Sequence, residues 1–306
     1  VGTHVLRWQG ATIAPLALPL ARRKMFGVRQ LIGGAFLSAS CAALVDAAVY
    51  GAELGTDAQY RFGRFEARVM YGDNDGVISS FFLWKGDSWQ TDRPWVELDY
   101  EKVGVQNGRC RLGLNAITGW PGPDSHSSDA WVQGADICKG FHHYVFEWTP
   151  HALVWKVDDV EVRRDTGFTL QWFNEQGGPG VQFKFNIWPG GPEFGGNFQE
   201  WQLPSYQYID WVAYSSYHEL SGAFKPVWRE DFDSGALPSG WSLGTWASPL
   251  GRSQHRPQNA LWNDGYVVLA LSVNDPVNPP RPPGVAPPVA VSLAATGANA
   301  SFVLLP

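Results

Sequence analysis

From about residue 52 onward the chain repeats with a period of two, and this limits it to strands more than any other feature does. Phe65-Glu66-Ala67-Arg68-Val69 alternates apolar and charged residues, the pattern of a half-buried strand. Val181, Phe183, Phe185 and Ile187 would share one face, and Gln182, Lys184, Asn186 and Trp188 the other. Val154 to Arg163 reads as a hairpin turning at Asp158-Asp159, although Asp-Gly is the stronger turn signal. No segment of helical length carries a 3.6-residue period after residue 50. Short strands joined by connections rich in Gly, Pro and Asn imply an all-β fold, an antiparallel β-jelly-roll sandwich.

The two ends depart from this pattern. Arg22, Arg23 and Lys24 precede Met25 to Ala48, whose apolar part, Leu31 to Val45, is short for a bilayer span and suits a secretory signal. Leu37-Ser38-Ala39-Ser40 before Cys41 resembles a lipoprotein attachment site, but Ser38 stands where a bulky aliphatic residue is expected. Export to the cell exterior is therefore the expectation. The reading divides the chain into an export leader over 1–50, one β domain over 51–272 and a tail over 273–306. Residues 275–288, DPVNPPRPPGVAPP, are proline-dense and read as an extended linker.

Composition narrows the ligand. Charged residues make up 17% of the 306 and the formal net charge is −6, which argues against nucleic acid. The 16 Trp suit either a β core or aromatic platforms for a neutral ligand such as a sugar. Past the leader only Cys110 and Cys138 remain; in an exported protein they could pair. Neither lies in a metal-binding cluster, and His142-His143 lacks ligand spacing and reads as structural.

Residues 95–104 read WVELDYEKVG. On a strand, Glu97, Asp99 and Glu101 fall on one face, with Val96, Leu98 and Tyr100 on the other. Three like charges on one face are costly. A plain acidic surface would need basic partners on the neighbouring strands to neutralise it. A catalytic pair makes a geometric demand instead. Residues four apart lie roughly 13 Å apart along a strand, so two Glu side chains leaning together bring their carboxyls to roughly 5 Å. That is the separation of a retaining glycosidase. One Glu attacks the anomeric carbon and the other protonates the leaving oxygen. Asp99 between them can hydrogen-bond one carboxyl, and crowding raises the acid's pKa.

E-x-D-x-E preceded by Arg93-Pro94-Trp95 resembles the signature of glycoside hydrolase family 16. The likeness continues through Phe62-Gly63-Arg64-Phe65-Glu66-Ala67-Arg68, Phe141-His142-His143-Tyr144, Glu147-Trp148-Thr149-Pro150, Phe185-Asn186-Ile187-Trp188 and Ile209-Asp210-Trp211-Val212. Trp228 to Asp233, Trp241, Trp246 and Asn263 to Leu269 look like the family's opening strands, yet here they come last. That order resembles the circularly permuted lichenases, which hydrolyse mixed-linkage 1,3-1,4-β-glucan. A separate module of some 50 residues would be a poor β domain alone.

The resemblance implies Glu97 as nucleophile, Asp99 as assisting acid and Glu101 as general acid/base. It implies Phe82, Trp84, Trp95, Asn115, Asn186, Trp188 and Trp246 as substrate-binding residues. No cofactor is implied for catalysis, but a structural calcium is, with Asp210, Asp231 and the Gly265 carbonyl at the corresponding positions. The implied partner is a β-glucan polysaccharide, bound by a monomer without nucleic acid or membrane. Laminarinase-like members carry an extra residue, E-x-D-x-x-E, which this chain lacks. Phe194 replaces an expected Trp, Lys184 a common Arg, Tyr100 an aliphatic, and the loop Lys85 to Thr91 is about one residue short. An endo-1,3-β-glucanase or another β-glycan endohydrolase is the alternative. A non-catalytic carbohydrate-binding jelly roll or a surface structural protein would leave the acid pair unexplained.

Overall fold

The computed structural model describes residues 48–72, 74–106, 109–133, 139–192, 194–263, 265–276 and 282, with the side chains of 104–106, 109, 110, 133 and 263 left aside. The leader with Cys41, the Cys110–Cys138 pairing and most of the tail lie outside the described residues. In chain order the elements are β1 (Tyr50–Thr56), β2 (Gly63–Met70), β3 (Val77–Trp84), β4 (Glu97–Gln106), β5 (Arg109–Gly119), β6 (Ser125–Gln133), β7 (His142–Trp148), β8 (Leu153–Val157), β9 (Val160–Asp165) and helix α1 (Phe168–Gln176). After the helix come β10 (Gln182–Pro189), β11 (Ser205–His218), β12 (Ala223–Glu230), β13 (Trp241–Leu243), β14 (Gln254–His255), β15 (Ala260–Asn263) and β16 (Tyr266–Leu271).

These strands form two sheets of eight. The first runs β13-β1-β10-β3-β4-β5-β6, with β14 also on β1; the second runs β15-β16-β11-β2-β7-β8-β9, with β12 also on β11. Pairing is antiparallel except for β14 on β1. The inward residues of each alternating strand meet in one core. Phe81, Leu98, Tyr100, Phe183 and Phe185 come from the first sheet, and Phe65, Phe146, Trp148, Trp155 and Ile209 from the second; all are fully buried. The fold is the expected antiparallel sandwich.

In β2 the alternation appears in the burial itself, with Phe65, Ala67 and Val69 inside and Arg64, Glu66 and Arg68 partly exposed. Asp158 and Asp159 make the β8–β9 turn at φ 48° and 65°, the left-handed pair that a tight hairpin needs. Asp158 adapts because its carboxylate accepts the His143 N–H at 2.9 Å and lies 2.6 Å from His142 Nδ1. Helix α1 is missing from the sequence reading. It has nine residues, no side-chain cap and no acid in its first turn, so local signals are weak. Buried Leu170 and Phe173 hold it.

The segment after residue 222 is part of both sheets. β12 pairs with the end of β11, β13 with β1, and β16 with the start of β11. Phe232 is buried in the shared core. Tyr50, placed by the sequence reading in the leader, opens β1 and exchanges backbone hydrogen bonds with Ser272 at 2.8 and 2.9 Å. The two ends of the domain therefore lie side by side.

Candidate active site

On β4, Leu98 and Tyr100 enter the core and Glu97, Asp99 and Glu101 point out of the first sheet. Registry sets their neighbours. Glu97 lies between Trp84 and Ile117, Asp99 between Phe82 and Asn115, and Glu101 between Ser80 and Gly113. None of these six is basic, so the neutralised-surface explanation fails. One row further, Asn186 faces Ser80 and Glu53 faces Asn186. Glu53, Asn186, Ser80 and Glu101 thus form a polar line across four strands.

Burial raises all three acids, but unequally. The Trp95 indole N–H donates to Glu97 Oε2 at 2.5 Å. Glu97 is raised by burial to about 7, held down by the bonds from Trp95 and Asp99 and pushed up by the charge of Glu53. Asp99, 3% exposed, is driven well above the usual carboxylate range by burial and then by the charges of Glu97 and Glu101. It therefore keeps its proton and donates it to Glu97. Glu101, lacking such a donor, is raised by burial and the Glu97 charge to about 8. Pairs of acids pushed apart in this way divide into a proton donor and a charged partner.

The second sheet holds the catalytic strand in place. Tyr100 Oη lies 2.8 Å from the Val145 carbonyl and 2.9 Å from that of Lys156, so its bulk, a departure from the family pattern, serves to span β7 and β8. The Trp155 indole donates to the Asp99 carbonyl at 3.2 Å, and the Arg163 guanidinium lies 4.4 Å over the Trp155 ring. Hydrogen bonds behind a reactive group fix its direction.

The predicted binding residues divide by position. Phe82, Trp84, Trp95 and Asn115 surround the acids; the Asn115 side-chain oxygen accepts from Ser127 at 2.9 Å. Asn186 and Trp188 sit on β10, with Trp188 stacked on Phe194 at 6.1 Å. Trp246, 48% exposed, overhangs the β1 edge, where Lys184 Nζ is 5.4 Å from its ring.

Sequence reasoning missed Glu53 and His255. Glu53 is 6% exposed, and its carboxylate lies 3.3 Å from Lys184 Nζ and 3.9 Å from His255 Nδ1. A signal existed: in YGAELGT, Gly51, Glu53 and Gly55 share a face. Gly55 is required because a Cβ there would come within 2.8 Å of the Phe183 carbonyl oxygen. His255, on β14, shows no periodicity that could have marked it.

The predicted calcium ligands fall elsewhere, about the second sheet. Arg68 pairs with Asp210, and Arg229 Nη2 lies 2.6 Å from Asp231 Oδ1. Among the described residues no three His, Cys, Asp or Glu side chains gather as a metal set. Each of the two carboxylates is paired with a guanidinium, and Gly265, the third of these positions, turns into β16 at φ 82°.

Comparison with known proteins places this geometry in a family. The model of glycosyl hydrolases family 16 matches residues 34–213. A β-glucanase of Fibrobacter succinogenes is 34% identical over 228 residues, covering 72% of this chain and 63% of that protein. One from Brevibacillus brevis is 31% identical over 166 residues, covering 53% and 59%. The chain thus spans about three fifths of the length of these relatives. A solved Bacillus licheniformis β-glucanase aligns with TM-score 0.41 and 24% identity, over 53% of this chain and 70% of that one. With its family model matching more than half of its residues, this chain belongs to glycosyl hydrolases family 16.

Proposed function

We propose that the chain is a secreted, retaining endo-β-glucanase that cleaves mixed-linkage 1,3-1,4-β-glucan by double displacement. The observation that carries the reading is the unequal treatment of Glu97 and Glu101 on one strand face without basic neighbours. Glu97, kept charged by the N–H of Trp95 and the proton of Asp99, attacks the anomeric carbon. The bond to the leaving oxygen breaks as Glu101 delivers its proton. The resulting glycosyl ester is opened by a water that gives a proton back to Glu101, and Glu97 is freed. Among the described residues, buried Ser80 Oγ, Asn186 Oδ1 and Asp99 Oδ2 have no hydrogen-bond partner and suit sugar hydroxyls lying along the polar line.

A permuted order is part of the same proposal. The strands expected to open the family fold, β12 onward, follow β11 through a turn at residues 219–222, with His218 paired to Ala223. The ends of this domain meet at Tyr50 and Ser272. Both pairs of ends are therefore adjacent, which is the physical condition for permutation.

Product analysis on lichenan, barley β-glucan, laminarin and xyloglucan tests the substrate, and the anomer first released tests retention. Cleavage of lichenan and barley β-glucan with release of the β-anomer is expected. Cleavage of laminarin alone would move the assignment to a 1,3-β-glucanase, and first release of the α-anomer would remove the double displacement.

A further inference from the structure

Helix α1 and the tip of the β5–β6 hairpin carry an aromatic group that the catalytic reading leaves unused. Trp120 follows Gly119, whose φ of +91° turns the chain, and its N–H donates to the Asp124 carbonyl at 3.2 Å. Two prolines, Pro121 and Pro123, stiffen that tip. Trp120 is 43% exposed, and Phe168, at the start of α1, is 60% exposed. Between them stands Trp172, 6.5 Å from Trp120 and 6.0 Å from Phe168 by ring centroids. Scattered single apolar residues on a surface need no explanation, but a contiguous patch of rings does.

This patch is joined to the active site. The Trp172 indole donates to the Trp95 carbonyl at 2.8 Å, while the Trp95 indole donates to Glu97 and packs edge-on against Trp84 at 5.8 Å. The patch is thus tied to the nucleophile's neighbour through one side-chain-to-backbone hydrogen bond, from Trp172 to Trp95. Beside Phe168 an open recess of about 590 Å³ presents the side chains of Thr166, Gln171 and Glu175. Flat rings flanked by amide, carboxylate and hydroxyl groups match the two kinds of surface on a pyranose, its C–H face and its hydroxyl rim. A stiff tip and a pinned helix hold the rings in place beforehand, which lowers the entropic cost of binding.

We infer that Trp120, Trp172 and Phe168 form a carbohydrate shelf that takes a stretch of the β-glucan chain beyond the residues bound at the acids. The inference rests on the β-glucan reading of the cleft. It makes the shelf a contact for long chains only, acting through affinity and not through the chemical step.

The test compares the parent with a Trp120→Ala/Phe168→Ala variant; both residues are exposed, so the core is untouched. For barley β-glucan, KM should rise about fivefold to tenfold at constant kcat, while kcat/KM on a soluble mixed-linkage tetrasaccharide stays the same. The same pair of changes in a Glu101→Gln background should weaken retardation in a gel containing barley β-glucan. Unchanged KM with unchanged retardation overturns the shelf, and so does an equal loss on polymer and tetrasaccharide. A parent that cleaves no β-glucan overturns the proposed activity instead, and retardation then still reads the shelf separately.

Discussion

The outer faces of the two sheets carry the same kind of sequence and opposite electrostatics. On β2 the charged positions are Arg64, Glu66 and Arg68; on β4 they are Glu97, Asp99 and Glu101. The second sheet neutralises its charges. Arg64 lies 2.9 Å from Glu66, 3.2 Å from Glu147 and 3.1 Å from Asp159, and Lys156 lies 2.7 Å from Glu147. Burial pulls Glu66 up, but bonds from His143 and Arg64 bring it below its ordinary value. The first sheet gives its acids Trp84, Phe82, Ser80, Ile117, Asn115 and Gly113 as neighbours, and all three are raised. Alternating charge marks an outward face. Only the neighbours across the strands decide whether that face is inert or reactive.

The largest effect expected from this contrast is catalytic. Glu97→Gln and Glu101→Gln should each lower kcat on β-glucan by about 10²–10⁴-fold. Arg64→Ala should leave kcat unchanged and cost about 1–3 kcal/mol of stability, because Glu66 and Glu147 lose their partner. Steady-state kinetics together with urea unfolding separate the two outcomes. A kcat loss for Arg64→Ala as large as that for the acids would erase the distinction between the faces.

A smaller effect concerns pH. Glu97 must be ionised and Glu101 protonated, and they titrate together. The kcat/KM profile should therefore be a narrow bell with its top between about 7 and 8. Trp95→Phe removes the N–H that stabilises the charged Glu97, so the acid limb should move upward by about half a unit or more. An unmoved limb would mean that the indole does not tune the nucleophile.

The smallest effect is on stability. Glu101 is raised in the fold from an ordinary 4.5 to about 8. Between those values the folded chain holds a proton that the unfolded chain has released, so this acid's contribution to stability falls as pH rises through the window. Glu101→Gln should have the higher Tm at pH 8, and its advantage should vanish near pH 4. A scan series across that range checks the sign; a constant difference would indicate packing instead of proton linkage.

Most of the catalytic strand was legible early. Alternation in WVELDYEKVG sorted the three acids from Leu98 and Tyr100 because side chains on a strand must alternate, and the fold keeps that division. The β8–β9 hairpin was legible for a similar reason, since Asp tolerates the left-handed turn. Helix α1 was not, because its stability comes from Leu170 and Phe173 packing into a core formed by distant strands. Glu53 sits on β1, more than forty residues from the acids in sequence, and reaches their face only through the β1–β10–β3–β4 pairing.

By itself the sequence determined the period of two, the all-β class and the common face of Glu97, Asp99 and Glu101, because these follow from backbone geometry within a few residues. The tertiary structure alone decided which charges are neutralised. It put Arg64 and Lys156 beside the acids of one sheet, and put Trp84, Phe82 and Ser80 beside those of the other. It also brought Glu53 to the acids' face and took Asp210 and Asp231 into arginine pairs. The electrostatic state of a carboxylate depends on burial and on charges a few ångströms away, and both are set by strand pairings that join distant parts of the chain.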